Sequence, residues 1–422
     1  GVRLVFTGAE VAGLGPLPMQ AGIPGADIWS PPYPVLARDE VRHVGDAVAF
    51  VVADTLHQAS AAAEMIEVGW QVLPHVIGAV EALASGAVKV WANSKSNLAF
   101  EVTLGDRTRT AGAFERAAWA VELTLVNQRL VTNYLDTRGV VAEYDPSSDR
   151  ITLTLGSQGS HAIRDTLAGA VLRIDPEKLR VVTPDIGGGF GTKLFAYREY
   201  ALAALAAQRL KQPVRWIADR SDHFLGDTQG RDNITTARLA LDDKGHFLAL
   251  DIDIVADMGA YLSAYAPYIP YLGAGMSPGV YDIPACFVRL RSAFTNTIPV
   301  DAYRGAGRPE AAYVIERLVD AAAHELDIAP DVLRWRNFIK PKAMPYRTAT
   351  GKVYDSGDFA AHMERAQEIG GWDGFKQRAA AARRQGLLRG IGLATYIEAC
   401  GNNGPDAARI TLDNDGGVTA LM

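Results

Sequence analysis

Two glycine-dense stretches constrain the fold of this chain more than any other feature of its sequence. The first is Asp185–Lys193 (Asp-Ile-Gly-Gly-Gly-Phe-Gly-Thr-Lys), and the second is Asp301–Glu310 (Asp-Ala-Tyr-Arg-Gly-Ala-Gly-Arg-Pro-Glu). Glycine reaches backbone conformations that are closed to other residues and lets a main chain approach a ligand closely. Because Lys193, Arg304 and Arg308 lie in these stretches, they suggest a bulky, anionic ligand. The alternative is two tight turns that bind nothing.

The first stretch lies between a predicted strand and a predicted helix. Arg180–Pro184 has the composition of a strand, and a helix is predicted over Leu194–Leu210. The Gly187–Gly191 loop is therefore a strand-to-helix turn whose backbone N–H groups can face a ligand. Neither the dinucleotide-binding pattern G-x-G-x-x-G nor the P-loop pattern G-x-x-x-x-G-K-[ST] fits the loop, which argues against NAD and nucleoside triphosphates.

The bulk composition excludes several classes of protein. The length of 422 residues predicts two or three domains. A formal charge of −6 without a basic block argues against nucleic acid, and no apolar run reaches the roughly 20 residues that span a bilayer. We expect a soluble, cytoplasmic chain, with periplasmic export through a partner's signal as the alternative. Cys286 and Cys400 lack metal-ligand spacing, which argues against a zinc site or an iron-sulfur cluster held by this chain alone.

Hydrophobic patterning predicts a mixed α/β, or α+β, fold without internal repeats. The first hundred residues form a small α/β module, and the polar stretch 93–111 is predicted to be a linker. From about Trp119 onward, long strands and helices alternate. Two hairpins are predicted at the turns 145–149 and 242–245. The predicted elements before the linker are strands at Val2–Thr7, Ala47–Ala53 and Ile66–Leu73 and helices at Thr55–Glu67 and Val80–Ala84; later helices are Ser160–Arg173 and Ala312–Leu326.

Five motifs occur together in one order along the chain. They are Ser157-Gln-Gly-Ser-His161, Gly187-Gly-Gly-Phe-Gly-Thr-Lys193, Gly230-Arg-Asp232, Asp257-Met-Gly-Ala-Tyr261 and Ala302-Tyr-Arg-Gly-Ala-Gly-Arg-Pro-Glu310. This combination resembles the molybdopterin-binding large subunit of the xanthine dehydrogenase, aldehyde oxidase and aerobic carbon monoxide dehydrogenase family.

The resemblance covers nearly the whole chain and implies its domains. Residues 1–105, which include Val41-Arg-His-Val-Gly-Asp-Ala-Val-Ala49, are expected to form an α/β hammerhead domain, and residues 120–385 a first molybdenum-cofactor-binding domain. Residues 386–422 would open a second, truncated cofactor-binding domain. The first residue is Gly, and the last residues, 417–422, look like a strand in progress. We therefore expect a fragment or one piece of a split protein.

The resemblance also implies a reaction, cofactors and partners. The family carries out oxidative hydroxylation with water as the oxygen source, here of an aldehyde or an N-heteroaromatic compound. The implied cofactor is molybdopterin in its cytosine dinucleotide form, with 2Fe-2S clusters and FAD carried by an iron-sulfur subunit and an FAD subunit. The alternatives are a carbon monoxide dehydrogenase-like subunit, or an inactive cofactor-binding or structural half that needs a second polypeptide.

Matching motif positions imply the site residues. Gln158 would hydrogen-bond an oxygen ligand of the molybdenum, and Arg304 would act catalytically by polarising substrate or stabilising negative charge. The residues expected to contact the cofactor are Gln158, Gly188, Gly189, Phe190, Gly191 and Arg304.

Each of these residues also has a purely structural interpretation. Gln158 would cap the helix that follows it, and Phe190 would pack in the core. Arg304 and Arg308 would be surface ion-pair partners. Lys193 would be solvated at a helix start, and His161 is interpreted as structural. A cluster of tyrosines, interpreted either as an aromatic pocket wall or as ordinary packing, consists of Tyr261, Tyr265, Tyr268 and Tyr271.

Three departures from the family pattern limit the functional prediction. Gly305 stands where carbon monoxide dehydrogenases carry a copper-binding Cys, and without a thiolate soft copper has no ligand. No Gly-x-Gly-Glu motif with the family's catalytic base occurs; Glu310 and Glu398 lie outside such a motif, so no base is assigned. Asp136 stands where many relatives have Glu.

Overall fold

The computed structural model describes residues 1–399 and 407–421. The N-terminal region contains a two-stranded antiparallel sheet, β1 (Val2–Thr7) with β2 (Ala49–Ala53), followed by helices α1 (Leu56–Glu64) and α2 (Ala79–Ala82). Thr55 caps α1, since its side chain accepts a hydrogen bond from the backbone N–H of Gln58. These four elements confirm the prediction.

The segment Ile66–Leu73, predicted to be a strand, is not one. It runs without assigned secondary structure, and most of its side chains are exposed, including Trp70 and Val72. Its alternating apolar residues match the period of a strand, but within residues 1–399 and 407–421 no strand lies beside it to form a ladder. A two-residue period alone therefore does not make a strand.

Two larger sheets occupy the rest of the chain. Their strands are β3 (Leu98–Gly105), β4 (Trp119–Asn127), β5 (Gly139–Asp145), β6 (Arg150–Leu155), β7 (Leu179–Val182), β8 (Val214–Ile217), β9 (Asn233–Leu241), β10 (Phe247–Gly259) and β11 (Ala285–Phe294). The five-stranded sheet has the order β3-β11-β10-β9-β4, and the four-stranded sheet has the order β7-β6-β5-β8. Both predicted hairpins, β5–β6 and β9–β10, are antiparallel pairs. The α+β fold class is confirmed.

The remaining helices lie around these sheets, and several of them pack directly against a strand. They are α3 (Arg107–Glu115), α4 (Ser160–Thr166), which continues as a π-helical turn over Leu167–Leu172, α5 (Arg198–Leu210), α6 (Arg220–Gly226), α7 (Tyr268–Gly275), α8 (Arg308–Glu325), α9 (Pro330–Asn337), α10 (Phe359–Gly370) and α11 (Phe375–Arg384). The α-helix predicted from Leu194 begins only at Arg198, after a short 3-10 turn over Thr192–Leu194. All five alanines of α5 are buried, as small side chains permit close packing.

The predicted linker over residues 93–111 is wrong. It contains β3, the edge strand of the five-stranded sheet, which pairs antiparallel with β11 from Leu98↔Ala293 to Gly105↔Phe287. It also contains the start of α3, whose cap Asp106 accepts from the N–H of Arg109. The polar Glu101 and Thr103 of β3 alternate with the apolar Phe100, Val102 and Leu104, as in a strand with one face toward the solvent.

Shorter strands complete the chain: β12 (Tyr346–Arg347) pairs with β13 (Val353–Tyr354), and β14 (Arg409–Leu412) with β15 (Val418–Leu421). The last of these confirms a strand near the end of the sequence, while Cys400 and Met422 lie outside the described residues. No helix of the described chain is both long and apolar enough to cross a membrane.

Buried polar contacts join the N-terminal region to the rest of the molecule. Asp46 forms a buried ion pair with Arg198 at the start of α5, at 3.1 Å, and accepts a hydrogen bond from the Tyr261 hydroxyl. Burial alone would raise the pKa of Asp46, but the nearby Arg198 guanidinium overcomes this and lowers it. The Tyr33 ring stacks on Tyr261 with 4.3 Å between ring centroids. The two regions therefore share one core.

Candidate active site

The structure brings Gln158 against the first glycine loop. Gln158 follows β6, and its Oε1 accepts a hydrogen bond from the backbone N–H of Gly191 at 2.8 Å. Its own N–H donates to the carbonyl of Lys193 at 2.9 Å. The interpretation of Gln158 as a helix cap is wrong, because Gly159 is the N-cap residue of α4 and no side chain caps that helix.

Close approach explains the glycines of this loop. A Cβ on Gly189 would lie 2.5 Å from Gln158 Oε1, and a Cβ on Gly191 would lie 2.6 Å from the carbonyl oxygen of Ala302. Gly188 and Gly191 also adopt positive φ angles, 101° and 106°, which side chains disfavour. The loop therefore fits between Gln158 and the second glycine loop only because positions 189 and 191 carry no side chain.

Several hydrogen-bond donors of the loop remain available. The backbone N–H groups of Gly188, Gly189 and Phe190 donate to none of the residues at 1–399 and 407–421, and neither does the side-chain Nε2 of Gln158. Consecutive backbone N–H groups in such turns form concave anion-binding sites. This arrangement favours a ligand-binding loop over a simple tight turn.

Phe190 is not a core residue. It is 46% exposed and adopts a left-handed backbone with φ of 51°, a conformation that costs about 1–2 kcal/mol outside glycine. Its carbonyl accepts a hydrogen bond from the N–H of Arg304 at 2.9 Å, and the Arg304 guanidinium carbon lies 5.9 Å from its ring centroid. The two glycine loops are thus joined at the positions predicted to face the cofactor.

A buried arginine holds the second loop. Arg231, at a left-handed φ of 66°, donates to the carbonyls of Tyr303 at 3.0 Å and Arg304 at 2.8 Å, and it pairs with the buried carboxylate of Glu310. Burial raises the pKa of Glu310, and the Arg231 charge opposes this rise. Ala306 of the same loop has a left-handed φ of 44°.

The three basic residues noted in the sequence have different surroundings. Arg308 forms an ion pair with Glu398, with 2.6 Å between Nε and Oε1, so its interpretation as an ion-pair partner is confirmed. Arg304 is exposed, and its guanidinium pairs with no carboxylate in the described part of the chain. The expectation that Lys193 is solvated is wrong, because Lys193 is 1% exposed and its Nζ contacts Asp136.

The histidine and the four tyrosines noted in the sequence differ in their surroundings. His161 is exposed on α4. Tyr261 is buried and belongs to the core, so the packing interpretation holds for it. Tyr265 lines a cavity with Phe195 and Thr166. Tyr268 and Tyr271 are partly buried against the main core.

Gly305 has no room for a side chain in this structure. A Cβ at this position would lie 2.4 Å from Cγ and 2.6 Å from Cδ of Pro309, and its φ is 93°. Cys286 is buried in β11, where burial raises the pKa of its thiol to about 12. The described part of the chain therefore presents no thiolate to a soft metal beside Arg304.

Sequence reasoning missed three supporting residues of the site. Arg231 was visible only as part of the Gly-Arg-Asp motif, and Asp136 only as a departure from the family pattern. Asp301 was visible as the first residue of the second loop. Its buried carboxylate accepts from the N–H groups of Ala302 at 2.7 Å and Tyr265 at 3.0 Å, and burial raises its pKa to about 6.

The two joined loops thus place backbone N–H groups that are open to a ligand beside the exposed guanidinium of Arg304. A family model described as "Molybdopterin cofactor-binding domain" matches residues 90–338, and one described as "Aldehyde oxidase and xanthine dehydrogenase, a/b hammerhead domain" matches residues 1–74. The chain belongs to the xanthine dehydrogenase, aldehyde oxidase and carbon monoxide dehydrogenase family of molybdopterin-dependent oxidoreductases.

Individual relatives support the same assignment. The chain is 33% identical over 387 residues to the carbon monoxide dehydrogenase large chain of Hydrogenophaga pseudoflava, covering 87% of this chain and 48% of the relative. It is 28% identical to the nicotine 6-hydroxylase large subunit of Paenarthrobacter nicotinovorans, covering 99% and 52%. The crystal structure of quinoline 2-oxidoreductase from Pseudomonas putida 86 superposes with a TM-score of 0.92 at 30% identity, covering 100% and 55%. The chain thus spans about half the length of these relatives.

Proposed function

We propose that this chain forms one part of the cofactor site of a molybdenum hydroxylase that oxidises an aldehyde or an N-heteroaromatic compound, with water as the oxygen source. The observation that supports it is the convergence of Gln158, the Gly188–Gly191 loop and Arg304 on one exposed region with available donors. Partner iron-sulfur and FAD subunits would receive the electrons. The domain division at 1–105, 120–385 and 386–422 belongs to this proposal.

The loop residues fit a molybdopterin cofactor, proposed here in its cytosine dinucleotide form. When bound, this cofactor supplies the oxidising centre and activates water. The chain's own groups bind and orient it: the Gln158 side-chain amide and the N–H groups of Gly188, Gly189 and Phe190 donate hydrogen bonds. The exposed Phe190 ring provides a rigid apolar wall. No side chain of the chain is proposed to ligate the metal.

Arg304 is the proposed catalytic residue. Its backbone is fixed by Phe190 and by Arg231, so its guanidinium extends from a rigid support. A positioned cation stabilises negative charge that develops on the substrate, and such stabilisation is stronger in a site closed to water. The exposed guanidinium is available for this role because it forms no ion pair with residues 1–399 or 407–421.

A heteroaromatic or aldehyde substrate is favoured over carbon monoxide. Gly305 provides no thiolate for copper, and Pro309 occupies the space that a side chain would take. The named substrates of two similar proteins, nicotine and quinoline, are N-heteroaromatic compounds. The second candidate, a carbon monoxide dehydrogenase-like subunit, rests on the 33% identity to a carbon monoxide dehydrogenase large chain.

A catalytic base is proposed to come from outside the residues described. Glu310 is paired with Arg231, and Glu398 with Arg308, so each carboxylate already has a cationic partner. Because the chain spans about half of its relatives, a further polypeptide segment is proposed to supply the base. On the alternative reading, the chain is an inactive cofactor-binding or structural half until that segment is added.

The test is metal analysis and turnover of the native complex purified with every subunit that co-elutes. We expect near-stoichiometric molybdenum per copy of this chain, together with iron and without copper, and dye reduction with an aldehyde or a heterocycle such as quinoline. Labelled oxygen from H₂¹⁸O should enter the product. Copper together with carbon monoxide oxidation would establish the second candidate, and a complex without molybdenum would refute the proposal. Activity that appears only after a second polypeptide is added would identify the inactive half.

A further inference from the structure

Lys193, the last residue of the first glycine-dense stretch, buries its charged side chain. Its side chain is inaccessible to solvent, and Nζ donates to the backbone carbonyl of Asp136 at 2.6 Å and to the Asp136 carboxylate at 2.9 Å. Nζ also lies 4.6 Å from the ring centroid of Tyr134. A buried ammonium group is unfavourable unless it is paired, so this lysine requires its partner.

Asp136 contacts the opposite end of the same loop. Its carboxylate accepts a hydrogen bond from the N–H of Gly187 at 3.3 Å, and its N–H donates to the Gly187 carbonyl at 3.4 Å. A Cβ on Gly187 would lie only 2.4 Å from Cβ of Asp136. One carboxylate therefore connects Gly187, the first residue of the Gly187–Gly191 loop, with Lys193, two residues beyond its end.

The same lysine also determines where Gln158 lies. The Lys193 carbonyl accepts the Gln158 N–H at 2.9 Å, and the Gln158 side chain in turn accepts the N–H of Gly191. A shift of Lys193 would thus move Gln158 and the loop together. An ordinary surface ion pair has no such position: in the Lys178–Asp149 pair both side chains are about half exposed and neither contacts a loop of the site, whereas in the Asp136–Lys193 pair only the aspartate is half exposed.

We propose that the Asp136–Lys193 pair is a clasp that holds the Gly187–Gly191 loop and Gln158 in the ligand-binding conformation. Both are positioning residues, because they act through the loop and do not face the ligand. The identity of the ligand rests on the proposed function, whereas the clasp itself rests on contacts within this chain.

The test compares variants in the complete native complex. Lys193→Met removes the charge at similar length, Asp136→Asn removes the carboxylate charge, and Lys193→Arg and Asp136→Glu keep both charges. Hydrogen exchange, followed by mass spectrometry at the bonded amides of Gln158 and Gly191, reports the conformation of the loop independently of turnover. Molybdenum content and the separate values of kcat and KM are measured on the same samples.

In Lys193→Met, we expect these amides to exchange at least tenfold faster and the complex to retain several-fold less molybdenum. Turnover should fall through a lower kcat, with KM little changed. Asp136→Asn should show a smaller change, and Asp136→Glu should restore most of the protection. The matched control Lys178→Met, which breaks the exposed pair with Asp149, should change none of these quantities.

Normal exchange and normal molybdenum content in Lys193→Met would overturn the clasp. If that variant does not fold, unchanged exchange in Asp136→Asn would overturn it equally. A complex that contains no molybdenum but whose loop amides exchange faster in Lys193→Met would refute the proposed function and leave the clasp standing.

Discussion

Arg231→Met tests how much the second glycine loop depends on one buried guanidinium. In the native protein this group contacts two backbone carbonyls of the loop and both carboxylate oxygens of Glu310 at 3.2–3.3 Å. Methionine fills similar space but donates no hydrogen bond, so the carbonyls of Tyr303 and Arg304 lose their donor. Glu310, which is 5% exposed, would remain buried without a cation.

The expected loss of stability follows from the lost ion pair and hydrogen bonds. Breaking a buried ion pair by removing one partner costs about 3–5 kcal/mol, because the remaining charge is left uncompensated. We therefore expect the free energy of unfolding to fall by about 3–5 kcal/mol, measured by urea denaturation at pH 8 with tryptophan fluorescence. Arg231→Lys keeps the charge but loses the planar fork, and we expect a smaller loss of about 2 kcal/mol.

The cost of Arg231→Met should depend on pH in a defined direction. Burial already raises the pKa of Glu310, and loss of the Arg231 charge that opposes this would raise it further. A carboxyl with a raised folded-state pKa destabilises the fold when ionised, and this penalty disappears as the pH falls through that pKa. The destabilisation relative to wild type should thus be smaller at pH 5 than at pH 8.

The double variant Arg231→Met/Glu310→Gln provides the control. It removes the uncompensated charge, so it should recover a large part of the stability lost in the single variant and lose the pH dependence. An equal destabilisation of Arg231→Met at pH 5 and pH 8, or no recovery in the double variant, would refute the reasoning that an unpaired Glu310 causes the loss.

Three further variants address the ligand loop, the copper question and the link between the two regions. Gln158→Ala should change the free energy of unfolding by less than about 1 kcal/mol, since the residue is exposed. It should lower turnover of the complete enzyme about tenfold or more, and unchanged turnover would remove Gln158 from the site. Gly305→Cys should lower the free energy of unfolding by about 1–2 kcal/mol, because position 305 has a left-handed backbone. The new side chain should displace Pro309, and metal analysis should find no copper bound to the variant. Asp46→Asn should cost about 3 kcal/mol in urea denaturation because Arg198 stays buried without its anion, and a loss below 1 kcal/mol would contradict this.

Short sequence motifs correctly predicted the features of the fold that depend on neighbouring residues in the chain. The hairpin turns, the strand before the first glycine loop and the residues Gln158, Phe190 and Arg304 were identifiable from short motifs, and the structure brings those three together. The linker prediction failed because β3 contains polar residues and can be recognised as a strand only by its pairing with β11. Its correction required knowledge of a contact between residues far apart in the chain.

The residues that hold the two glycine loops in place could not be predicted from the sequence, for the same reason. Lys193 appeared to be solvated because nothing near it in sequence indicates that Asp136 lies beside it. Arg231 and Glu310 are separated by most of the five-stranded sheet in sequence, yet they form one buried pair. The residues proposed to contact a ligand lie in short motifs, whereas the residues that hold them in place are defined only by the tertiary fold.

Three non-glycine residues of the site, Phe190, Arg231 and Ala306, adopt left-handed backbone conformations. Such conformations persist only where the surrounding contacts impose them. The shape of the loops is thus set by the folded chain itself, and a ligand that enters them does not have to order the backbone. Binding then avoids the conformational entropy of about 1–2 kcal/mol that each disordered residue would lose. On the proposed function, a large cofactor would therefore meet loops whose conformation the folded chain already imposes.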